Sequence, residues 1–353
     1  MIPEPIVFVF AVLGWSVLHL AWQGLILGAI AETIGLALRR GSPRHREWVA
    51  GLALVLLAGA FVITAFRMVG GALEIGPARL AGPGVSLPPG WLVTLAPWIG
   101  LAWTVGASLL VLRLLVGLAR CRWLRADGTP VTLDLEPIRA RLRIEAQVPI
   151  LVSQRLEVPA LVGWLRPMIL LPAHTARSLS PPEIEALLAH ELAHLRRWDR
   201  WTKALGQVAR SLFFFHPVAH RLVGRLDVER ELACDDIAVA ACGSPAVYAR
   251  ALASLEHARQ QGGVRVLAAD GAPLLARIRR IAEPAHRRDE RVDRRLAFAG
   301  MALLFLFAQA PIVSPHLPGP YLPETIASLV THGTSHKDHD VHRIRHVRKT
   351  PHH

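Results

Sequence analysis

Four long apolar stretches constrain the fold of this chain more than any other feature. They lie at about 6–38, 49–69, 91–119 and 296–313. A bilayer core about 30 Å thick is crossed by about 20 apolar residues in a helix, and each stretch meets or approaches that length. The chain is 52% hydrophobic and only 19% charged, which is unusual for a soluble protein. The sequence therefore predicts a multi-span α-helical membrane protein.

The basic residues predict how the spans are oriented. The net charge is +13, with 40 Lys and Arg against 27 Asp and Glu, and a nucleic-acid-binding protein can have the same balance. Here, however, the arginines fall in short runs beside the apolar stretches, at 39–46, 120–125 and 287–295. Such runs mark the cytoplasmic side of a membrane. We therefore expect no direct contact with nucleic acid, an extracytoplasmic N-terminus, and a cytoplasmic segment between the third and fourth spans.

These features divide the chain into four predicted parts of a multi-pass protein of the cell (inner) membrane. Residues 1–119 are a membrane domain with three transmembrane helices, 120–295 a cytoplasmic domain, and 296–313 the fourth transmembrane helix. Residues 314–353 are a short His-rich extracytoplasmic tail, predicted to be disordered because it lacks apolar periodicity. Capture of a metal ion by the histidines of this tail is the alternative interpretation.

The cytoplasmic segment has the pattern of a domain that mixes strands and helices. Aliphatic runs at 148–153, 158–163 and 168–172 are bounded by Pro and Gly, which predicts the short strands of a small sheet. Ser180, two prolines and Glu183 then form the pattern of a capping box, with proline at the first helical position. A helix is therefore predicted from this point through Leu195.

That predicted helix carries His190-Glu191-Leu-Ala-His194, the pattern HExxH. Histidines four residues apart share one helical face, so both imidazoles can reach one Zn²⁺ ion. Glu191 lies between them, where a carboxylate can take a proton from a metal-bound water. Packed core histidines, or a set of helical salt bridges, are the structural alternative. The pattern indicates zinc-dependent hydrolysis of a peptide bond.

A catalytic zinc takes three protein ligands and keeps an open position for water, so a third donor is needed. Glu231 is the best candidate, on a predicted helix that also carries Asp235 one turn later. Asp235 is expected to accept the N–H of a ligating imidazole and fix its tautomer. The alternative is a solvated acidic face paired with Arg225 and Arg230, and the spacing alone leaves both interpretations open.

Other residues with metal-binding or reactive side chains receive weaker interpretations. His216 and His220 flank Pro217 and are interpreted as packing rather than as a second metal site. Cys234 lies among apolar residues and is interpreted as a buried, inert thiol. Tyr248 has a hydroxyl suited to polarising a substrate carbonyl, but nothing in the sequence selects it. No structural disulfide is expected from the spacing of the three cysteines.

Several of these motifs occur together in one known group of proteins. The chain resembles the membrane metallopeptidase family of the β-lactam-sensing Bla and Mec signal transducers over roughly residues 1–313. The resemblance is carried by Pro159-Ala-Leu-Val-Gly163, Pro167, Leu171-Pro172, the HExxH motif with Asp199, Phe215-His216-Pro217 and Arg230-Glu231-Leu-Ala-Cys234-Asp235. The glutamate of the last motif is similarly placed to the third zinc ligand of other HExxH membrane peptidases, which supports Glu231.

The resemblance implies regulated proteolysis in the cytoplasm, with a small winged-helix repressor as the typical partner and self-cleavage in some members. Family members that sense β-lactams carry a large penicillin-binding sensor domain after the last span. This chain ends about 40 residues after Val313. Sensing of an antibiotic through such a domain is therefore not expected.

The sequence thus predicts a multi-span membrane protein with a cytoplasmic α+β zinc-peptidase domain, of the gluzincin-like HExxH type. Zn²⁺ is expected on His190, His194 and Glu231, with Glu191 as the catalytic base and Asp235 behind the ligands. The expected function is that of a membrane-bound zinc metalloendopeptidase that cleaves a cytoplasmic repressor, itself, or both. A zinc-stabilised receptor or scaffold without proteolytic activity is the alternative. The bilayer and a cytoplasmic protein or peptide are the expected partners, and the oligomeric state stays open.

Overall fold

The computed structural model describes most of the chain up to residue 302. The described residues are 4–39, 41–74, 90–126, 128–154, 156, 158–163, 166–261, 274–282, 295, 298–300 and 302. The predicted fourth span at 296–313 falls outside them except for 298–300 and 302, and the predicted His-rich tail falls outside them entirely.

Three long apolar helices open the chain. They are α1 (Glu4–Ala37), α2 (Pro43–Glu74) and α3 (Gly90–Ala126). In each of them a stretch is long and apolar enough to cross a membrane: Glu4–Ala37, Pro43–Gly70 and Gly90–Ala119. Three of the predicted spans are thereby confirmed as helices of sufficient length and hydropathy.

The first two helices are joined by a short turn, and α2 begins earlier than its apolar stretch suggests. Proline is tolerated in the first turn of a helix because its missing N–H has no intrahelical partner there, and Pro43 is the first residue of α2. Part of the basic run is therefore helical. Within that first turn, Nη1 of Arg46 donates to the carbonyl oxygens of Leu38 at 3.2 Å, Arg39 at 3.2 Å and Gly41 at 2.8 Å. One guanidinium thus satisfies carbonyls at the end of α1 and in the turn that follows it.

Two glycines allow the backbones of α1 and α3 to approach each other closely. A Cβ atom at Gly14 would collide with the carbonyl oxygen of Ala96, and one at Gly100 with that of Phe10. Small residues at such contacts are typical of packed helices in membranes, where close van der Waals contact drives association.

The middle of the chain forms a small mixed sheet. Its strands are β1 (Thr129–Val131), β2 (Ile150–Ser153), β3 (Ala160–Val162) and β4 (Met168–Pro172), in the order β1-β2-β4-β3. β2 and β4 are parallel, whereas β1 and β3 are antiparallel to their neighbours. The three aliphatic runs predicted as strands are confirmed, and β3 lies at one edge of the sheet.

Seven further helices lie in the described part of the chain. They are α4 (Glu136–Leu142), α5 (Ala173–Ser178), α6 (Pro181–Arg196), α7 (Asp199–Leu212), α8 (Pro217–Cys242), α9 (Pro245–Gln261) and α10 (Leu274–Ala282). Of these, α5 and α6 contact the sheet. One hydrophobic core joins Leu187, Leu188 and Leu192 of α6 to the sheet and to residues of α8 and α9. Because this core covers most of α6, the helix with the HExxH pattern is held on several sides.

The start of α6 follows the predicted capping box. Glu183 accepts a hydrogen bond from the backbone N–H of Ser180 at 2.9 Å, and the reciprocal contact of the Ser180 side chain with the helix is also present. The end of α6 is less ordinary. Trp198 adopts a left-handed conformation with φ of 62°, and α7 begins directly after it at Asp199. This sharp turn brings Asp199 back towards the end of α6.

The contacts within the chain define two compact units. One contains Met1–Ile26 and Leu56–Gly106, and the other contains Leu27–Val55 and Ala107–Phe305. The second unit therefore includes the end of α1 and the beginning of α2 together with the sheet and α4–α10. All residues of the candidate site and all the ion pairs discussed below lie within this unit.

Candidate metal centre

His190 and His194 lie one turn apart on α6 and face the same point. Their Nε2 atoms are 3.2 Å apart, and the two rings meet edge to face. Glu231 of α8 reaches the same point, with Oε2 at 3.4 Å from Nε2 of His190 and Oε1 at 3.6 Å from Nε2 of His194. The structure thus brings together the three side chains that the sequence singled out as ligands.

The spacing and chemistry of these three donors fit a zinc ion. Ligands that bind one zinc at about 2.0–2.1 Å in tetrahedral geometry stand about 3.4 Å apart. The observed separations of 3.2, 3.4 and 3.6 Å lie on either side of that value. Two imidazole nitrogens and one carboxylate are also a donor set that catalytic zinc sites use, with one position left for water. A zinc ion is therefore compatible with the residues present.

His194 is oriented by a carboxylate on its far side. Nδ1 of His194 lies 2.8 Å from Oδ2 of Asp199, and Nε of Arg197 lies 3.3 Å from both oxygens of Asp199. Burial alone would raise the pKa of Asp199, but its contacts with His194 and Arg197 hold that pKa below its usual range. An ionised carboxylate only accepts, so Nδ1 carries the proton and the Nε2 lone pair is left for a metal.

His190 is oriented by a hydroxyl group. The Tyr248 hydroxyl, on α9, lies 2.8 Å from Nδ1 of His190 and donates to Oδ1 of Asp235 at 2.6 Å. Burial and the neighbouring Asp235 carboxylate raise the pKa of Tyr248 well above its usual value, so the hydroxyl keeps its proton. Asp235 itself is 3.4 Å from Nδ1. The expected acceptor thus lies behind His190, and the tyrosine hydroxyl is the nearer partner.

Arg277 of α10 closes the back of the cluster. Its Nε and Nη2 donate to the two oxygens of Asp235 at 2.9 and 2.6 Å, and its Nη1 lies 3.5 Å from Oε2 of Glu231. The Asp235 side chain is fully buried and that of Arg277 is 14% exposed. The two parallel N–H donors of a guanidinium fit the two oxygens of a carboxylate, so this pair fixes the orientation of Asp235. Tyr248 is fixed in turn, because its hydroxyl donates to Asp235.

The charges of the cluster favour a cation between the two carboxylates. Burial lowers the pKa of His190, but Asp235 and Glu231 more than offset this effect and raise it to about 10. Burial raises the pKa of Glu231, whereas His190, His194 and Arg277 together hold it below its usual range. A positive charge at His190 is therefore stabilised, whether a proton or a metal ion supplies it.

Glu191 is adjacent to His190 on α6 and is only 8% exposed. Within the described part of the chain, its carboxylate makes no hydrogen bond or ion pair, in contrast to every other acidic side chain of the cluster. Its carboxylate is therefore not committed to another side chain of the described residues. This is the property that a catalytic base requires.

Cys234 lies next to His194 and is fully buried. Its Sγ is 3.2 Å from Nδ1 of His194 and 3.2 Å from Oδ2 of Asp199. Together these three side chains form a second group with metal-binding atoms. However, burial and the Asp199 carboxylate raise the pKa of the thiol, so Cys234 acts as a weak donor rather than as a thiolate ligand.

His216 is interpreted from its sequence context as a packing residue, and in the structure it lies at the start of α8. His216 is fully buried, and its Nδ1 accepts a hydrogen bond from the backbone N–H of Val218 at 3.2 Å. It thereby caps α8, while Pro217 occupies the first position of that helix. The Phe-His-Pro motif thus starts the helix that carries Glu231.

Sequence reasoning selected the three side chains that converge, but it found fewer of the residues behind them. It assigned no role to Asp199, could not select Tyr248, and missed Arg277 entirely. Arg277 belongs to an arginine-rich stretch in which no residue is distinguished by spacing. Asp199 could have been found only from the resemblance, because it was among the matching residues.

Comparison with known proteins places these features in a family. The sequence pattern of the BlaR1 peptidase M56 family matches residues 91–281, from α3 to α10. The methicillin resistance mecR1 protein of Staphylococcus aureus is 27% identical over 88 residues, which are 25% of this chain and 15% of that protein. The protein of the same name from Staphylococcus epidermidis matches equally. The chain therefore aligns with about 15% of the length of these relatives. Since the family pattern covers more than half of the sequence, this chain belongs to the BlaR1 peptidase M56 family.

Proposed function

We propose that this chain is a membrane-bound zinc metalloendopeptidase that acts in signal transduction at the cytoplasmic face of the cell membrane. The observation that carries the proposal is the convergence of His190, His194 and Glu231 at separations of 3.2–3.6 Å. Glu191 is next to His190 on α6, and its carboxylate has no partner among the described residues. Membership of a peptidase family supports the same conclusion.

Zinc held by His190, His194 and Glu231 would supply a Lewis acid that polarises a peptide carbonyl and makes water a better nucleophile. Glu191 takes a proton from the attacking water and delivers it to the amine that leaves. Asp199 and the Tyr248–Asp235 pair keep the Nδ1 atoms protonated, so that the Nε2 lone pairs point to the metal position. Arg277 holds Asp235 and limits the movement of Glu231.

The substrate is aligned, in this proposal, as an extra strand on the edge of the sheet. Among the described residues β3 pairs only with β4, and it lies in contact with α6. A strand at an edge presents unpaired N–H and C=O groups, to which an extended peptide can hydrogen-bond. A peptide bound there would pass beside the HExxH helix.

The proposed substrate is a cytoplasmic protein, of which a small winged-helix repressor is the first candidate, or the chain itself. Similarity to the mecR1 proteins and the family resemblance support this choice. The positive-inside pattern supports a cytoplasmic peptidase domain, with the N-terminus and the tail outside. Nucleic acid is not a proposed partner.

A zinc-stabilised receptor that cuts nothing is the second candidate. Such a protein needs the three ligands and their supporting contacts, but it has no use for Glu191. Among the described residues Glu191 makes no hydrogen bond or ion pair that would support such a scaffold, so a carboxylate next to His190 favours the enzyme.

The test compares the purified wild type with Glu191→Ala, Glu231→Ala and the control Glu185→Gln, whose residue lies half-exposed on α6. Zinc content and cleavage of a repressor or of unbiased peptides are measured in detergent. We expect Glu191→Ala to keep zinc and lose cleavage, Glu231→Ala to lose both, and Glu185→Gln to match the wild type. Zinc without cleavage in the wild type would favour the receptor, and absence of stoichiometric zinc would exclude both functions.

A further inference from the structure

Two adjacent residues of opposite charge near the start of α2 contact the two helices that bear the proposed metal ligands. Arg46 pairs with Glu229 of α8 through two contacts, Nε to Oε1 and Nη2 to Oε2, both at 2.7 Å. Glu47 forms an ion pair with Arg197, at the end of α6. Both pairs are largely buried, since Glu47 is 8% exposed and the side chains of Arg46 and Glu229 are each 11% exposed.

The pair made by Glu47 continues directly to a metal ligand. Arg197 contacts both carboxylate oxygens of Asp199 at 3.3 Å, and Asp199 lies 2.8 Å from Nδ1 of His194. The four side chains therefore form an unbroken chain of polar contacts from α2 to His194. Each member is held by the next, because a buried charge that loses its partner is strongly destabilised.

The pair made by Arg46 ends close to the other half of the site. Glu229 lies two residues before Glu231 on α8, so fixing Glu229 restricts both the rotation and the axial position of that helix near the ligand. In one pair α2 supplies the cation, Arg46, and in the other it supplies the anion, Glu47. This arrangement favours one register of α2 against α6 and α8. A shift of α2 that brought like charges together would be disfavoured.

We infer that Arg46 and Glu47 are positioning residues for the metal centre, through which the start of a membrane-spanning helix sets the geometry of His194 and Glu231. This inference rests on the proposed zinc site. It makes metal affinity depend on how α2 sits against α6 and α8. Movement of α2 would therefore change the positions of the metal ligands without any contact between α2 and the ion.

A third ion pair provides a matched control. Glu32 of α1 pairs with Arg221 and Arg225 of α8, both at 2.7 Å. It also joins a membrane helix to α8, but these arginines lie ten and six residues before Glu231 and have no contact with a metal-binding side chain in the described part of the chain.

The experiment uses the full-length protein in detergent and compares Glu47→Gln, Arg46→Glu, the exchanged pair Arg46→Glu with Glu229→Arg, and the control Glu32→Gln. Zinc affinity is measured by competition with a chelator. The absorption spectrum of bound Co²⁺ reports ligand geometry, and the unfolding midpoint of the metal-free protein reports stability. Removing a supporting partner of a metal ligand typically weakens metal binding by about 10- to 100-fold.

We expect Glu47→Gln and Arg46→Glu to weaken zinc binding about tenfold and to change the Co²⁺ spectrum. Glu32→Gln should keep the affinity and spectrum of the wild type, even where its unfolding midpoint falls as far as that of Glu47→Gln. The exchanged pair should regain part of the affinity that Arg46→Glu loses. If Glu47→Gln and Arg46→Glu bind zinc like the wild type, or if Glu32→Gln weakens binding equally, the inference is overturned while the zinc site stands. A wild type without stoichiometric zinc overturns both.

Discussion

The Tyr248 hydroxyl lies 2.8 Å from Nδ1 of His190, on the opposite side of the ring from the nitrogen that meets Glu231. The hydroxyl hydrogen is used in the bond to Asp235. The lone pairs of the hydroxyl oxygen remain available, so this oxygen can accept a hydrogen bond from the Nδ1–H of His190. The tyrosine thus passes the orienting effect of a buried carboxylate to the imidazole. Asp235 has no equally short contact of its own with that ring.

Tyr248→Phe keeps the buried ring and removes only the hydroxyl. We expect zinc affinity to fall about tenfold, because Nδ1 of His190 loses its acceptor and the ring is no longer fixed. The free energy of unfolding should fall by about 1–2 kcal/mol, since Asp235 also loses a donor. Chelator competition and chemical unfolding measure the two effects. Unchanged zinc affinity would mean that Asp235 takes over the role directly.

Arg277→Gln leaves a fully buried carboxylate without its guanidinium. We expect the free energy of unfolding of the metal-free protein to fall by about 3 kcal/mol, because breaking a buried ion pair leaves an uncompensated charge. Arg280→Gln is the control on the same helix. Arg280 pairs with Asp236 at 2.8 Å, but these side chains are 34% and 53% exposed, so the loss should stay below about 1 kcal/mol. Equal losses in the two variants would contradict the role given to Arg277.

Proline placed in β3 tests the proposed path of the substrate. Proline at Ala160, Leu161 or Val162 in turn removes one backbone donor, and at least one of these donors points away from β4. We expect at least one variant to keep its zinc and unfolding midpoint yet to lose most of its kcat/KM. Proline at Thr129, on the opposite edge, serves as the control. If every variant that keeps its zinc cuts peptides at the wild-type rate, the substrate does not bind along β3.

Ser180→Ala tests the capping box of α6. Loss of a serine cap costs about 1 kcal/mol, so a lower unfolding midpoint is expected with zinc affinity unchanged. Ser178→Ala is the control, because that hydroxyl donates to the carbonyl oxygen of His174 within the preceding helix rather than capping α6. A midpoint equal to that of the wild type would show that the core alone fixes the start of α6.

The features that sequence predicted are those set by local rules. Hydropathy predicted four spans, and the three that fall within the described residues are long apolar helices. The Ser180 to Glu183 pattern predicted the start of α6, and the helical period put His190 and His194 on one face. Long-range contacts were beyond such rules. Tyr248 follows His190 by 58 residues and reaches it only because α9 packs against α6.

The turn after α6 shows why Asp199 received no role from spacing. Continuing α6 as a regular helix would not place a residue five positions on beside His194. The chain instead turns at Trp198, with φ of 62°, a conformation that is uncommon for any residue but glycine or asparagine. A bulky aromatic residue gives no signal for such a turn. The prediction for Asp235 was closer, because residues four apart on a helix share a face whatever the tertiary packing.

The way Arg46 closes the turn between α1 and α2 restricts which cation can occupy that position. Its guanidinium faces three backbone carbonyls and both oxygens of Glu229 at once, with different nitrogens serving the two sides. Lysine concentrates its donors on a single nitrogen and cannot span both sides. Exchanging one basic residue for the other would therefore leave the hairpin of membrane helices either open at its turn or detached from α8, although the charge of the chain would not change.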